Sequence, residues 1–245
     1  ISSSLRAIFK AMPVHLPVSS DSASFESRTL AWQAGEEWKL QAHRDADAGR
    51  SKDVYCAVYA KSFGVPIETV DDYMRQIGKV EDLALGYQGG NGAFSNMAKV
   101  YGVKLSDDQI DKAIKAFREA HQKTKQYWYA LEKAFVDAVR YKGRMFKAGP
   151  VVFQVDTSLD VLFATLPSGR RLAYPYPGIN IVANQYRQGQ MKAIPTYMAV
   201  DTKTKKWSEQ ETYGGCLAEN MTQAIAFDVF AHGMLLAASR GLKIV

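Results

Sequence analysis

The sequence predicts an α+β fold, and the reason is a change of pattern along the chain. Up to about residue 143, apolar side chains recur every three or four residues, which is typical of amphipathic helices. From about residue 144, β-branched and aromatic runs alternate with Pro-Ser-Gly and Asp-Thr-Lys-Thr turns, which indicates antiparallel hairpins. A last amphipathic helical segment follows the hairpins. This order differs from the regular strand–helix alternation of an α/β protein.

Each predicted element has a local reason. Residues 1–20 are expected to form short extended segments broken at their two prolines. Helices are expected at residues 24–44, 53–63, 67–87, 106–143 and 216–241. Thr69 or Asp71 can cap the third helix, and the fourth segment is either one long helix or two helices broken near His121. The terminal GLKIV is expected to open a β-strand.

The composition allows a sizeable core and favours some partners over others. The chain has 245 residues, 47% of them hydrophobic, which suffices for one large domain or two smaller ones. Its formal net charge of +6 suits a polyanionic partner such as nucleic acid, although the charge is scattered. No stretch approaches the roughly 20 apolar residues that span a bilayer, so no membrane partner is expected. With two cysteines and no signal-peptide pattern, a cytoplasmic location is expected.

Four side chains of the third helix are spaced strictly four residues apart: Arg75, Lys79, Leu83 and Tyr87. Because a four-residue step turns only about 40° around a helix, they form one slowly winding row about 18 Å long. We call this row the Arg75–Tyr87 stripe. Its length is about that of an extended nucleoside triphosphate, with cations at one end and an aromatic ring at the other. The alternative is a surface helix that carries two cations on one face.

Asp21 lies where an extended segment gives way to the first helix. A carboxylate at the end of a strand is well placed to hold Mg²⁺, which prefers oxygen ligands and leaves coordination positions open for phosphates. The alternative is that Asp21 only caps the helix.

Taken together, these two stretches resemble a known family. DSASFESRTLAW, residues 21–32, resembles motif A of family A DNA polymerases, and RQIGKVEDLALGYQGG, residues 75–90, resembles motif B. The similarity is strongest to the bacteriophage-type branch and continues in order through KDVYCAVYAKSFGVPIETV, LPSGRRLAYPYP, PTYMAVDTKTKKW and TYGGCLAENMTQAIAFDVF. It covers nearly the whole chain from Leu5 to Val245.

The resemblance implies a right-hand polymerase architecture, with helical fingers inserted in an incomplete palm that contains antiparallel strands. Residues 1–40 would be the N-terminal part of the palm with motif A. Residues 41–205 would be the fingers, with the motif B helix and the hairpins. Residues 206–245 would be a palm helix and the start of the strand that leads to motif C.

The resemblance also implies a role for each matched residue in motif A. Asp21 would bridge two Mg²⁺ ions as a catalytic carboxylate, and the Ser22 carbonyl would be a further metal ligand beside the nucleotide. Glu26 would be the steric gate that disfavours a ribose 2′-OH. Arg28 would contact the primer–template.

The stripe and the last helix receive roles in the same way. Arg75 and Lys79 would hold the triphosphate, and Lys79 could donate a proton to the leaving pyrophosphate. Leu83 would contact the nucleotide, and Tyr87 would lie beside the templating base pair. Gln223 would contact the primer–template minor groove.

The sequence departs from the family pattern at three places. Leu83 stands where many cellular members have Phe or Tyr, and Tyr55 stands where those members have a phosphate-contacting His. The third departure is the second metal-binding carboxylate, which the family carries in a His-Asp-Glu hairpin just after the position of Val245. Neither Asp228 nor the Asp45–Asp47 loop has the matching context. A continuation of the chain or a second polypeptide is therefore expected to supply it.

Three functions remain open on the sequence alone. The first is template-directed DNA synthesis, with dNTP and a DNA primer–template as partners and Mg²⁺ as cofactor, in the host cytoplasm if the protein is viral. The second is a catalytically silent module that binds nucleic acid or nucleotide, because the motif C carboxylate is missing from these 245 residues. The third is a structural subunit whose helices only make protein contacts.

Overall fold

A computed structural model describes residues 21–183 and 189–244. The described residues form helices and antiparallel strands, which confirms the α+β class. The helices are α1 (Phe25–Ala34), α2 (Glu37–Asp47), α3 (Val54–Phe63), a 3₁₀ turn (Ile67–Thr69), α4 (Asp72–Leu85), α5 (Asn91–Val100), α6 (Asp107–Ala120), α7 (Gln122–Arg140) and α8 (Gly214–Ser239). The strands are β1 (Phe146–Ala148), β2 (Val151–Asp156), β3 (Val161–Thr165), β4 (Arg171–Pro175), β5 (Gly178–Ala183), β6 (Met191–Val200) and β7 (Trp207–Glu211).

The helix boundaries follow the capping residues. Asp71 accepts a hydrogen bond from the Met74 amide and so starts α4, while Thr69 lies in the 3₁₀ turn. Ser106 starts α6 with a complete capping box. The segment predicted at residues 106–143 forms two helices, α6 and α7, because the chain leaves helical geometry at His121.

Two helical predictions need correction. Residues 24–44 were expected to be one helix but form α1 and the start of α2, because Gly35 adopts a left-handed φ of 70° that ends α1. Helix α5 was not predicted at all, although Phe94, Ala98 and Tyr101 recur at helical spacing. The expected extended segments of residues 1–20 lie outside the described residues.

The strands form two antiparallel sheets, as the hairpin pattern predicts. One sheet has the order β1-β2-β3-β4 and the other the order β5-β6-β7. Tyr174 on β4 and Tyr197 on β6 meet edge to face, with ring centroids 5.0 Å apart, and so join the two sheets.

The hydrophobic core is built around α7. This helix packs against α1, α8 and the first two strands. Trp128, Leu131 and Phe135 on its inner side are buried, together with Phe153 of β2 and Leu217 of α8. The α7 helix therefore connects the helical layer that carries the stripe to the sheets and to α8.

Helix α8 corrects the expectation that no segment could span a bilayer. Its most apolar window has a mean hydropathy of 1.3, long and apolar enough to cross a membrane, with 22% of the window buried. The helix contains no uninterrupted apolar run of the expected length, because Glu219 and Asp228 interrupt the sequence. Its alanines nevertheless keep the average hydropathy high. Its first half is buried against α1 and α7, whereas its second half, from Phe227 onward, is mostly exposed.

The predicted strand at the end of the chain is not formed in residues 242–244. A strand needs the edge of another strand to pair with. These residues pair with none of the strands that the structure describes.

Candidate functional site

Arg75, Lys79 and Leu83 of the Arg75–Tyr87 stripe lie on α4. Tyr87 lies in the turn just after α4, because the helix ends at Leu85 and not at residue 87 as predicted. Helix α4 packs closely along α3. Gly78 permits this approach, since a Cβ at this position would lie 2.1 Å from the Tyr55 carbonyl oxygen. The close packing places Tyr55 of α3 beside the cationic end of the stripe.

Tyr55 lies between the two cations of the stripe. The Arg75 guanidinium carbon is 5.4 Å from the Tyr55 ring centroid, and the Lys79 Nζ is 5.7 Å from it. Lys79 Nζ also lies 4.4 Å from the ring centroid of Tyr101. Aromatic faces hold cations without neutralising them. Within residues 21–183 and 189–244 Lys79 forms no ion pair, so its charge stays available to an anion.

Arg75 is oriented by an acidic partner. Its Nε donates to Asp53 Oδ2 at 2.6 Å, and Asp53 also caps α3 by accepting from the Cys56 amide at 3.1 Å. Burial raises the pKa of the Asp53 carboxyl, but the hydrogen bonds from Arg75 and Cys56 outweigh it and leave this pKa below its usual value. Asp53 is therefore charged at neutral pH and fixes the guanidinium at the end of the stripe.

The other end of the stripe walls a cavity of about 310 Å³ between α1 and α4. Glu26, Leu83 and Tyr87 line this cavity, together with Tyr55 and Asp82. The Tyr87 hydroxyl donates to Glu26 Oε2 at 3.1 Å and so connects the end of the stripe to α1 across the cavity. Burial, with a further contribution from the Glu26 charge, raises the pKa of Tyr87, so the phenol remains protonated and keeps donating.

A buried ion pair lies behind the cavity. Lys39 of α2 and Asp82 of α4 are both almost fully buried and hydrogen-bonded to each other. Two histidines nearby are neutral at pH 7, since burial and the Lys39 charge lower the pKa of His121 to about 3, and burial with the charges of Arg28 and Lys39 lowers that of His43 to about 4. The pair fixes α2 to α4 beneath the residues that face the cavity.

The predicted metal ligands Asp21 and Ser22 are exposed at the first described residues. No group of three or more His, Cys, Asp or Glu side chains suitable for a metal occurs among the residues that the structure describes. The residues outside the described ranges contain no Asp or Glu. Asp21 therefore belongs to no such group among the described residues, and these residues do not fit a complete two-metal centre.

The two remaining predicted contacts lie apart from the cavity. Arg28 points away from it, because its guanidinium donates to both carboxylate oxygens of Asp47, at 2.5 and 2.7 Å, and to the Ala23 carbonyl. Gln223 is exposed on α8, in a polar groove that it shares with Asn220 and Tyr197. The structure therefore brings Glu26, Arg75, Lys79, Leu83 and Tyr87 to one site, and leaves Arg28 and Gln223 on other surfaces.

Sequence reasoning missed the residues that support this site. Asp53, Asp82 and Lys39 hold the stripe in place, yet each pairs with a residue more than twenty positions away. The one local signal was Asp53, which is the first residue of the helix predicted at 53–63 and is of a residue type that favours N-caps. For Lys39 and Asp82, a charged residue inside an amphipathic pattern is ordinarily interpreted as solvent-exposed.

Comparison with known proteins gives one informative similarity. No family model matches the chain. A DNA polymerase of Bacillus phage SP02 is 36% identical to it over 228 residues, which are 92% of this chain and 33% of the phage protein. The chain thus spans about a third of the length of this curated relative. The matched residues make up nearly the whole of this chain, so the similarity extends over most of the described helices and strands.

Proposed function

We propose that this chain is the fingers and part of the palm of a bacteriophage-type family A DNA polymerase, which carries out template-directed DNA synthesis. The observation that carries the proposal is the arrangement along α4. Two cations gather around Tyr55 at one end, and Glu26, Leu83 and Tyr87 wall a cavity at the other. A deoxynucleoside triphosphate has the same order of parts, with an anionic tail at one end and a flat base at the other.

In this arrangement the chain's own residues bind and orient the nucleotide. Lys79 binds the triphosphate through an ammonium group that has no ion-pair partner among the described residues. Arg75 binds it through a guanidinium that Asp53 already orients. Leu83 packs on the sugar, and Glu26 occupies the space that a 2′-hydroxyl would need. Tyr87 is held in place by Glu26 and presents its ring to the base pair. In phosphoryl transfer, most of the catalytic effect comes from such positioning and charge stabilisation.

Lys79 has a second role in the proposal. The leaving pyrophosphate gains negative charge as its bond to the α-phosphorus breaks, and an ammonium group next to it stabilises that charge. Lys79 Nζ carries the proton that the pyrophosphate would accept. Gln223 and Arg28 would contact the primer–template, and Arg28 would first have to leave Asp47.

In the proposal, this chain supplies only some of the ligands for Mg²⁺. Asp21 and the Ser22 carbonyl would hold Mg²⁺, which would supply Lewis-acid chemistry when bound. The second carboxylate would have to come from a continuation of the chain or from another subunit. We place the activity in the cytoplasm, that of the host if the protein is viral.

A second candidate function is a polymerase-derived module that binds nucleotide and nucleic acid without chemistry, since the described residues contain no group of three or more His, Cys, Asp or Glu side chains suitable for a metal. Primer extension by the protein in the form in which its source produces it distinguishes the two candidates. Incorporation of nucleotides supports the polymerase. Salt-dependent DNA binding without incorporation under any divalent metal supports the silent module.

Replacing Lys79 by alanine tests whether the Arg75–Tyr87 stripe of this chain binds the triphosphate. Hydrogen bonds to charged groups contribute about 1.5–3 kcal/mol, so Lys79→Ala should weaken dNTP binding about ten- to hundredfold in a titration. Lys99→Ala, at an exposed lysine of α5, is the matched control and should leave the affinity unchanged. Equal dNTP affinities of the unmodified chain, Lys79→Ala and Lys99→Ala would show that Lys79 does not bind the nucleotide.

Replacing Glu26 by alanine tests the sugar end. A larger cavity should admit a ribonucleotide, so the ratio of the ribonucleotide to the deoxynucleotide dissociation constant should fall about tenfold, or about 1.4 kcal/mol. Tyr87→Phe removes the same hydrogen bond but keeps the Glu26 side chain, and should keep most of the discrimination. If both variants lose discrimination equally, the hydrogen bond and not the Glu26 side chain selects the sugar.

A further inference from the structure

The turn that follows the stripe is held in an unfavourable backbone conformation. Gln88 directly follows Tyr87 and has a left-handed φ of 64°. Glycine adopts left-handed backbone angles freely, whereas for residues with a Cβ these angles cost conformational free energy. Such a conformation in a non-glycine residue persists only where other contacts hold it.

The side chain of Gln88 makes the contact that holds it. Its Oε1 accepts a hydrogen bond from the Gly215 amide in the first turn of α8, at 2.9 Å. The first amides of a helix have no partner within the helix. The neighbouring amide, of Gly214, is taken by Glu132 of α7 at 3.1 Å. Gln88 therefore ties the end of the stripe to the start of α8, a helix more than 120 residues further along the chain.

The backbones at this contact leave no space for side chains. A Cβ on Gly215 would lie 2.2 Å from the Tyr87 carbonyl oxygen. A Cβ on Gly214 would lie 2.1 Å from the Trp128 carbonyl oxygen. The start of α8 thus presses directly on the backbone of Tyr87, and a shift of one must move the other.

Two further side chains hold the same turn. The Trp128 indole N–H donates to the Gly86 carbonyl at 2.8 Å, and the Arg118 guanidinium donates to the Gly89 carbonyl at 3.2 Å. Trp128 is buried in the core. The turn is consequently fixed between α7 and the start of α8, and Gln88 is the side chain that joins it to α8.

We propose that Gln88 is a positioning residue that couples nucleotide binding at Tyr87 to primer–template binding on α8. Gln223 lies eight residues after Gly215 on the same helix, a distance of about 12 Å along its axis. A nucleotide that orders Tyr87 then also orders the start of the helix that meets the duplex, and the reverse holds by linkage. The inference rests on the proposed function, since it needs both ligands.

Three variants isolate the Gln88 side chain. Gln88→Gly removes the hydrogen-bond acceptor but also relieves the left-handed backbone. Gln88→Glu keeps an oxygen acceptor at the same reach, next to the positive end of the α8 dipole. Asp160→Gly is the matched control, because Asp160 has a φ of 49° in the turn between β2 and β3, away from this contact.

The readout is the ratio of the dNTP dissociation constants measured without and with a primer–template duplex. We expect a ratio of about five or more in the unmodified chain and in Gln88→Glu and Asp160→Gly, but about one in Gln88→Gly. Thermal unfolding of Gln88→Gly should occur at an unchanged or higher temperature, so that lost coupling cannot be attributed to lost folding. Hydrogen exchange at the Gly215 amide should accelerate in Gln88→Gly alone.

The possible failures are distinguishable. An unmodified chain that binds no dNTP overturns the proposed function and the coupling with it. An unmodified chain that binds both ligands, with the same ratio in Gln88→Gly, overturns the role of Gln88 alone. Unchanged exchange at Gly215 in Gln88→Gly overturns the hydrogen bond on which that role rests.

Discussion

Replacing Lys39 by methionine is expected to lower the free energy of unfolding by about 3–5 kcal/mol, which is the usual cost of removing one partner of a buried ion pair. Methionine fills about the same volume, so little of the loss would come from a cavity. The loss arises because Asp82 stays behind as a buried carboxylate without a cation. Chemical denaturation of the two proteins at pH 7 measures it.

The charges around Asp82 determine how the stability loss in Lys39→Met depends on pH. Burial by itself raises the pKa of the Asp82 carboxyl, but the charge and hydrogen bond of Lys39 bring the pKa below its usual value. A carboxyl with a lowered pKa stabilises the folded state above its unfolded pKa, and that stabilisation is lost as the pH falls through the folded pKa. In Lys39→Met the sign reverses, because burial then raises the pKa of Asp82. The variant should therefore recover part of its stability between pH 7 and about pH 5, where the carboxyl can take up a proton.

Two further proteins test the interpretation. The double variant Lys39→Met/Asp82→Leu should recover most of the lost stability, since an apolar pair can replace a buried ion pair at little cost. Lys115→Met, at an exposed lysine of α6, should change the unfolding free energy by less than about 0.5 kcal/mol. A double variant as unstable as Lys39→Met would show that the lysine acts through packing rather than through Asp82.

Because an apolar pair could replace it, this ion pair is better explained by orientation than by stability. It joins α2 to α4 at the residue next to Leu83, and Asp82 itself lines the cavity. A charge pair fixes the relative orientation of two helices more narrowly than interchangeable apolar contacts do. The double variant should thus fold well yet bind dNTP less tightly than the unmodified chain.

The parts of this site that could be predicted from the sequence are those set by local geometry. Four-residue spacing on one helix places Arg75, Lys79 and Leu83 in a row whatever surrounds them, and the structure has this helix from Asp72 to Leu85. Tyr87 was predicted on the same helix but lies in the turn just after its end. Short-range rules also reduced the cap of this helix to Thr69 or Asp71, and allowed a break near His121 as one of two alternatives; the structure has Asp71 and the break. The hairpins were recognisable because turn residues separate runs of alternating burial, as in β2 and β3.

The parts that could not be predicted depend on contacts between distant segments. Nothing in residues 86–90 indicates that Gln88 adopts a left-handed conformation, because its reason is the Gly215 amide far along the chain. The break at Gly35 was missed because a glycine within an apolar periodic pattern is compatible with both a continued and an ended helix. The role of Asp53 likewise needed the packing of α3 on α4.

Replacing Glu81 by leucine is expected to raise the free energy of unfolding by about 2–4 kcal/mol at pH 7.5, opposite in sign to the effect at Lys39. Glu81 follows Val80 on the buried face of α4, and neither of its carboxyl oxygens has a hydrogen-bond partner among the described residues. Each buried polar group left unsatisfied costs about 1–3 kcal/mol. Leucine removes both oxygens and keeps an apolar side chain of similar size.

The gain should depend on pH in a defined direction. Burial raises the pKa of Glu81 well above its ordinary value of 4.5, and the neighbouring Ser62 hydroxyl, which does not meet hydrogen-bond geometry, offsets only part of this shift. Below pH 4.5 the carboxyl is protonated in both states and costs nothing by ionisation. As the pH rises, the unfolded chain releases the proton while the folded chain retains it, so stability falls until the folded pKa is reached. The stability of Glu81→Gln relative to the unmodified chain should therefore grow from near zero at pH 4.5 towards pH 8.

Unfolding measured at pH 4.5, 6 and 7.5 separates the two contributions. Glu81→Gln removes only the ionisation, whereas Glu81→Leu also removes the unsatisfied oxygens, so the leucine variant alone should gain stability at pH 4.5. Glu119→Gln, at an exposed glutamate of α6, should match the unmodified chain at every pH. A pH-independent gain in Glu81→Gln would contradict a neutral Glu81. Glu81 and Asp82 are adjacent on α4, yet one is expected to be neutral and the other charged, because only Asp82 has a lysine beside it.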